Sequence, residues 1–169
     1  MHIGIIGAGQ LGRMMALSGI PLGLRFTMYD QRADVPGAAV APIVTGQFDD
    51  HRKLARFARG VDVVTFDWEN VPVESVRAIA KIRPVWPPPR SLAASQDRLS
   101  EKRLFQRLGI PVAPYSAIET RADLARAIAT IGAPGILKTR RLGYDGKGQA
   151  AIRRAADADD AFELLHGRP

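Results

Sequence analysis

The sequence predicts an α/β protein built on a parallel sheet, and three observations lead to that fold class. Short apolar segments alternate with segments whose apolar residues recur at helical spacing. The first apolar segment ends in a glycine-rich turn. The helical segments are long enough to be crossovers, which parallel neighbouring strands require and antiparallel ones do not.

The first unit reads as strand, turn, helix and strand. The apolar residues 2–6 precede Gly-Ala-Gly-Gln-Leu-Gly at 7–12, and a second strand at 24–29 ends at Asp30. In the pattern G-x-G-x-x-G, glycines let the backbone approach a phosphate at a helix N-terminus, and an acid at Asp30 suits a ribose. Alone, this unit predicts a Rossmann-like nucleotide-binding domain. The alternative is that the glycines only make a tight turn.

The pattern continues with strands at 43–45 and 61–66 and helices at 50–59 and 72–82. The proline-rich residues 83–90 are expected to form an edge strand and a stiff connection, because proline suits neither a helix interior nor a central strand. A helix at 97–108 follows. We therefore predict two domains, residues 1–96 and residues 97–169.

The second domain contains a hairpin with a glycine-rich loop. Thr120 and Asp123 resemble a capping box that starts a helix. Strands at 135–139 and 149–153 flank the loop, and a last helix is predicted at 157–166. Lys138 precedes glycines at 143, 146 and 148, so an ammonium and several backbone amides lie within reach of a polyphosphate. The alternative is a solvated hairpin tip.

Composition excludes several kinds of site. There is no cysteine, and the three histidines, His2, His51 and His166, show no ligand spacing, so we predict no zinc site; a metal, if present, would bind oxygen ligands. The formal charge is +7, but the arginines are scattered without interleaved aromatics, which argues against a nucleic-acid partner. No apolar run approaches the roughly 20 residues of a membrane span. We expect a cytoplasmic protein with no membrane partner.

Three segments carry a resemblance to a known family. Residues 9–14 (GQLGRM), 66–72 (FDWENVP) and 138–149, which include KTRR and GYDGKGQ, resemble signatures of 5-(carboxyamino)imidazole ribonucleotide synthetase, an ATP-grasp ligase. The resemblance implies a Rossmann-like pre-ATP-grasp domain followed by the first α+β subdomain of an ATP-grasp domain. Two features depart from it: Leu142 stands where the family often has a second glycine, and the pair Asp67-Trp68 replaces a more usual acid-aromatic pair.

The resemblance also implies roles for particular residues. Substrate binding would fall to Gly9, Gln10, Leu11, Gly12 and Glu69. ATP binding would fall to Arg98, Lys138, Gly143, Tyr144, Asp145, Gly146, Lys147, Gly148 and Gln149, of which Tyr144 and Asp145 would also contact the reacting amine. From the residues alone, Arg98 could instead be a surface cation, Glu69 a helix cap and Asp145 a turn residue.

The implied reaction uses ATP and bicarbonate to form carboxyphosphate, which carboxylates aminoimidazole ribonucleotide in purine (IMP) biosynthesis. Enzymes of the family are about twice as long as this chain. We therefore expect the second half of the active site, including Mg²⁺ ligands, to lie beyond residue 169, and the full-length protein to be a homodimer. Two alternatives remain: another ATP-grasp enzyme, such as a formate-dependent or glycinamide ribonucleotide ligase, and an NAD-dependent dehydrogenase.

Overall fold

The computed structural model describes residues 1–143 and 146–165. The chain divides into two compact units, Met1–Ala93 and Ala94–Pro169. Tyr144 and Asp145, two of the predicted site residues, lie outside the described residues. Each unit has its own sheet and its own hydrophobic core.

The first unit is built on four parallel strands, which confirms the predicted fold class. They are β1 (His2–Ile6), β2 (Arg25–Asp30), β3 (Ile43–Thr45) and β4 (Val63–Phe66). Their order in the sheet is β3-β2-β1-β4, so the chain moves outward in one direction and then returns past β1 to the other side. The carboxyl ends of β1, β2 and β4 therefore lie side by side.

Both faces of this sheet are buried, because successive residues of a strand point to opposite faces. Ile6 and Tyr29 belong to one core cluster, and their neighbours Ile5 and Met28 belong to another. Helices α1 (Gln10–Gly19), α2 (His51–Arg59) and α3 (Val73–Ala80) supply apolar side chains to these cores. A sheet covered on both faces leaves the strand ends as the accessible place for a ligand.

The prediction for residues 83–90 was only partly right. Val85 makes a single parallel bridge to Val64 of β4. The expected edge strand is therefore reduced to this one residue pair. The stiff connection, however, is replaced by a helix, α4 (Pro89–Ser95), that begins at the last of the four prolines. Proline is tolerated in the first helical turn because the amide it lacks would have no intrahelical partner there.

The second unit packs helices against one face of a two-stranded antiparallel sheet. Its elements are α5 (Arg98–Arg107), α6 (Arg121–Ile131), β5 (Gly135–Lys138), β6 (Gln149–Ile152) and α7 (Ala158–Leu165). The capping box predicted at Thr120 and Asp123 is present at the start of α6. No helix among residues 1–143 and 146–165 has the length and apolar character needed to cross a bilayer.

The two faces of the β5-β6 hairpin differ. Ala150 and Ile152 face the core of the second unit, together with Leu124 of α6. Ile136 and Lys138 alternate with the inward residues of β5 and are exposed, and Lys138 lies opposite the exposed Gln149 in the register. The hairpin thus presents an uncovered face that ends at the glycine-rich loop.

Candidate functional site

The glycine turn after β1 closes around the side chain of Asp67. Gly7 has φ +89°, and a Cβ atom there would lie 1.7 Å from Oδ1 of Asp67. The Asp67 amide in turn donates to the carbonyl of Ile6 at 3.0 Å. Position 7 therefore requires glycine both for its backbone conformation and for the space that the carboxylate occupies.

Asp67 occupies the N-terminus of α1. Its Oδ2 accepts hydrogen bonds from the amides of Gly9, at 3.1 Å, and Gly12, at 2.8 Å. Asp30, at the end of β2, accepts from the amide of Ala8 at 2.8 Å. Two carboxylates thus bind amides that the glycine pattern alone would have assigned to a phosphate.

The pKa of Asp67 is raised above its ordinary value. Burial is the largest cause; the hydrogen bonds from Gly12 and Gly9 act in the opposite direction, and the negative charges of Asp30 and Glu69 raise the pKa further. Holding a carboxylate here therefore costs free energy, and a dinucleotide pyrophosphate at the same amides would add charge repulsion. This arrangement disfavours the dehydrogenase interpretation of the turn.

Two amides of the turn remain available. The backbone N–H groups of Gln10 and Leu11 have no hydrogen-bond acceptor among the described residues, and both side chains are exposed. They lie between the two glycines whose amides bind Asp67. The turn can therefore offer one small anion a pair of adjacent donors at a helix N-terminus.

Glu69 and Trp68 follow directly after Asp67. Glu69 is exposed, and its Oε1 accepts from Nδ2 of Asn70 at 3.3 Å. The ring of Trp68 packs on Phe48 with centroids 4.8 Å apart and stays 38% exposed. Because α3 begins at Val73 with Pro72 as its N-cap, Glu69 is not the cap of that helix.

In the second unit, the base of the glycine-rich loop is organised by Thr139. This residue is buried, its amide donates to the carbonyl of Gly148 at 2.8 Å, and its hydroxyl donates to the carbonyl of Arg141 at 3.0 Å. Gly148 has φ +69°, and a Cβ atom there would meet the Thr139 hydroxyl at 2.5 Å. The hairpin therefore continues one pair past Lys138 before the loop opens.

Lys138 ends β5 on the exposed face. Its ammonium has no ion-pair or hydrogen-bond partner among residues 1–143 and 146–165. An exposed lysine without a partner at the mouth of a glycine-rich loop suits a phosphate. Gly146 and Lys147 lie on the described part of that loop, and Gly146 has φ +78°.

Arg98 contacts the loop and is not a free surface cation. Its Nε donates to the carbonyl of Thr139 at 3.1 Å, and its Nη2 donates to the carbonyl of Gly143 at 3.2 Å. Its amide also donates to the carbonyl of Arg140 at 3.0 Å. Arg98 therefore binds backbone on both sides of the turn into the loop.

Asp97 was not singled out from the sequence, although an aspartate before a helical segment is a common N-cap. Its Oδ1 caps α5 by accepting from the amides of Leu99, at 3.0 Å, and Ser100, at 3.1 Å. Its Oδ2 binds Nη2 of Arg140 at 2.7 Å. Burial raises the pKa of Asp97, but the Ser100 amide, the Arg140 guanidinium and the Leu99 amide outweigh it and lower the pKa.

No group of three or more histidine, cysteine, aspartate or glutamate residues in the described ranges is placed to hold a metal ion. The candidate site residues fall into two sets, one in each unit. The first is the turn at Gly9–Gly12 with Asp67 and Glu69, and the second is the loop base with Arg98, Lys138, Thr139 and Asp97.

A parallel α/β domain followed by an α+β unit with a glycine-rich hairpin loop is the architecture of an ATP-grasp protein with a preceding domain. The family described as ribonucleotide synthetase preATP-grasp domain matches residues 1–96, and the ATP-grasp domain family matches residues 103–169. The chain belongs to the ribonucleotide synthetase preATP-grasp family, whose model covers more than half of it. Its similarity to 5-(carboxyamino)imidazole ribonucleotide synthetases confirms the predicted resemblance.

Three relatives show the extent of the similarity. The N5-carboxyaminoimidazole ribonucleotide synthase of Pseudomonas aeruginosa is 44% identical over 100% of this chain and 47% of its own length. The Thermus thermophilus synthetase structure is 43% identical with a TM-score of 0.89, over 98% of this chain and 44% of that one. The Aspergillus clavatus synthase, solved with ADP and 5-aminoimidazole ribonucleotide, is 27% identical with a TM-score of 0.88, over 99% of this chain and 44% of that one. The chain thus spans about half the length of these relatives.

Proposed function

We propose that the gene product carrying this chain is an ATP-dependent carbon-nitrogen ligase that carboxylates 5-aminoimidazole ribonucleotide with bicarbonate in purine biosynthesis. The products are N5-carboxyaminoimidazole ribonucleotide, ADP and phosphate. The observation that carries the proposal is the match along the whole chain to synthases of that name, one of which was solved with ADP and 5-aminoimidazole ribonucleotide. The reaction requires a protein that binds both ATP and a ribonucleotide, and the two sets of candidate residues would provide one phosphate-binding region for each.

The proposed reaction has two steps. A bicarbonate oxygen attacks the γ-phosphorus of ATP, the bond to the bridging β-γ oxygen breaks, and carboxyphosphate and ADP form. The exocyclic amine then attacks the carboxyl carbon and loses a proton, and the bond from carbon to the phosphate oxygen breaks to release phosphate. Carboxyphosphate would be lost to hydrolysis in water, so the protein must exclude water while holding two anionic substrates.

ATP is assigned to the loop of the second unit. Lys138 would supply an exposed ammonium, and the loop from Gly143 to Gln149 would supply backbone amides for the phosphates. Arg98 is assigned to the same site through the backbone carbonyls that it holds at Thr139 and Gly143. The roles of Tyr144 and Asp145 near the reacting amine remain part of this proposal.

The ribonucleotide is assigned to the turn of the first unit. The amides of Gln10 and Leu11 would bind its 5′-phosphate, and Gly9 and Gly12 would shape the turn while their own amides hold Asp67. Glu69 is exposed beside this turn and would accept hydrogen bonds from the ribose hydroxyls or the amine. We assign no step to a metal here, because the described residues contain no group of three or more histidine, cysteine or acidic side chains placed to hold one.

The assignment of ATP is tested by replacing Lys138 with alanine. Charge-assisted contacts to phosphate are worth about 1.5 to 3 kcal/mol, so we expect Lys138→Ala to raise the KM for ATP by about tenfold or more. Lys81→Ala, at an exposed lysine that follows α3 in the other unit, is the matched control and should change it less than twofold. Equal effects of the two substitutions would remove Lys138 from the ATP site.

The reaction itself is tested by measuring ADP release from the complete gene product. Release should require both bicarbonate and 5-aminoimidazole ribonucleotide. Release that instead depends on formate or on glycine with a different ribonucleotide amine would favour another ATP-grasp ligase. Fluorescence transfer from protein to bound NADH would favour the dehydrogenase and contradict the proposal.

A further inference from the structure

Asp97 does more than cap a helix. Its buried carboxylate holds the first turn of α5 through Leu99 and Ser100, and the same group binds Nε of Arg140 at 3.3 Å and Nη2 of Arg140 at 2.7 Å. Nε of Arg141 lies 3.6 Å from Oδ2. One carboxylate thus joins the start of a helix to two consecutive cations at the base of the glycine-rich loop.

The comparison with Asp50 shows that this linkage is not a general feature of helix caps. Asp50 caps α2 in the first unit by accepting from the amide of Lys53 at 2.9 Å. Within the described part of the chain Asp50 forms no ion pair, whereas Asp97 adds the arginine pair. Asp50 is therefore a matched control, because it caps a helix but makes no contact with the glycine-rich loop.

The loop base is held from two directions at once. Asp97 binds the side chains of Arg140 and Arg141, while its neighbour Arg98 binds the backbone carbonyls of Thr139, Arg140 and Gly143. Side chains and backbone of the same turn are therefore fixed to one point, the N-terminus of α5. Lys138, directly before this turn, is left without a partner in the described ranges.

We propose that Asp97 is a positioning residue of the ATP site, which sets the course of the loop base and keeps Arg140 and Arg141 away from the triphosphate. This inference rests on the proposed function, since it names a further residue for the same site. With Asp97 in place, the triphosphate meets Lys138 and the loop amides. Without its charge, two released guanidinium groups compete with Lys138 for the phosphates in unproductive geometries.

Three accounts of Asp97 predict different results for Asp97→Asn. A general electrostatic effect would tighten ATP binding, because the substitution removes a negative charge beside an anionic ligand. If the role of Asp97 is purely structural, the substitution should lower thermal stability and weaken the binding of both substrates together. Positioning predicts that ATP alone is affected, since the asparagine oxygen can still accept from Leu99 and Ser100 and keep the cap.

The experiment measures the KM of the complete gene product for ATP and for 5-aminoimidazole ribonucleotide, together with its melting temperature. We expect Asp97→Asn to raise the KM for ATP by about tenfold and to change that for the ribonucleotide less than twofold. Asp50→Asn should change neither. The inference would be overturned if Asp97→Asn tightened ATP binding, left the KM for ATP unchanged, or weakened the binding of both substrates equally.

A second readout does not depend on activity. Arg140 and Arg141 are half-exposed trypsin sites, and without the Asp97 contact the loop base should be cut faster in the absence of any ligand. If Asp97→Asn fails to fold, Arg140→Gln removes the same contact from the exposed partner; it should raise the KM for ATP alone by loosening the loop base, and Arg140→Lys should restore part of that effect. Unchanged cleavage between residues 140 and 142 in Asp97→Asn would refute the positioning role even if the proposed reaction were wrong.

Discussion

Asp67 and Asp97 are two carboxylates at helix starts, and their surroundings give them opposite properties. Asp67 is half-buried against the amides of Gly9 and Gly12 with Asp30 and Glu69 nearby, and its pKa is raised. Asp97 is buried and also accepts from two helix amides, but Arg140 binds it and its pKa is lowered. Backbone amides alone therefore do not offset the desolvation of a half-buried carboxylate beside other acids, whereas two amides and a guanidinium do so for a buried one.

This difference matters for what each region can bind. In the first unit a carboxylate takes the place of a bound anion at two of the turn amides and leaves Gln10 and Leu11 for one small phosphate. In the second unit the carboxylate is neutralised by arginines, and the nearby Lys138 has no partner in the described part of the chain. A polyphosphate is therefore better matched to the second region than to the first.

The largest loss of stability is expected from Gly7→Ala, which would disrupt the contacts of Asp67 with the glycine turn. The new Cβ atom would overlap Oδ1 of Asp67, and moving Asp67 would give up its bonds to Gly9 and Gly12. Together with the positive φ, this should lower the free energy of unfolding by about 3 kcal/mol or more. Urea denaturation followed by tryptophan fluorescence measures it, because both tryptophans, Trp68 and Trp86, lie in the first unit.

Gly23→Ala is the control for Gly7→Ala. Gly23 also has a positive φ, +77°, but a Cβ atom there would meet nothing within 4 Å. It should therefore cost only the backbone strain, about 1 kcal/mol. If the two substitutions cost the same, the contact between Gly7 and Asp67 is not what fixes the turn.

The next effect in size is a difference in pH dependence between Asp67→Asn and Asp97→Asn. The lowered pKa of Asp97 means that its carboxylate stabilises the fold above the unfolded pKa of about 3.9 and that this is lost as pH falls through the folded pKa. The cost of Asp97→Asn should therefore shrink as pH is lowered below about 3.9. The raised pKa of Asp67 has the opposite sign, because its favourable contribution is present below the unfolded pKa and is lost as pH rises through the folded one.

The cost of Asp67→Asn should therefore shrink as pH is raised above about 3.9. Urea unfolding of both variants and the wild type between about pH 3 and pH 6 measures the two slopes. Fluorescence follows the first unit, and circular dichroism follows both. Slopes of the same sign would show that the arginine contact does not distinguish the two carboxylates.

The local features of the fold were predictable, and the contacts between distant residues were not. The parallel sheet, the glycine turn and the capping box at Thr120 follow from periodicity and from residues within a few positions of each other. The helix α4 was missed because the prolines at 84, 87 and 88 directly before it, together with Pro89 at its first position, are typical of a connection. Asp67 reaches amides 55 and 58 residues away and Asp97 an arginine 43 residues away, which no local pattern encodes.

The smallest expected effect is that of Leu142→Gly, at the position where the family often has glycine. Leu142 is exposed and has φ +60°, the one positive φ outside glycine in the described ranges. Glycine would relieve about 1 kcal/mol of backbone strain but would cost a similar amount in unfolded-chain entropy. We expect the free energy of unfolding to change by less than about 0.5 kcal/mol.

The control for Leu142→Gly is Leu108→Gly, because Leu108 is similarly exposed, at 63% against 54%, but has φ −86° as the C-cap of α5. With no strain to relieve, Leu108→Gly should lower the free energy of unfolding by about 1 kcal/mol. The difference between the two leucine-to-glycine changes, measured by urea denaturation with circular dichroism, therefore reports the strain stored at Leu142. Such strain would mean that the second unit has a strained non-glycine residue with positive φ in its loop. The first unit avoids this strain, because the residue with positive φ in its turn is Gly7. Equal losses in the two variants would show that Leu142 is not strained and that its departure from the family pattern has no energetic consequence for the loop.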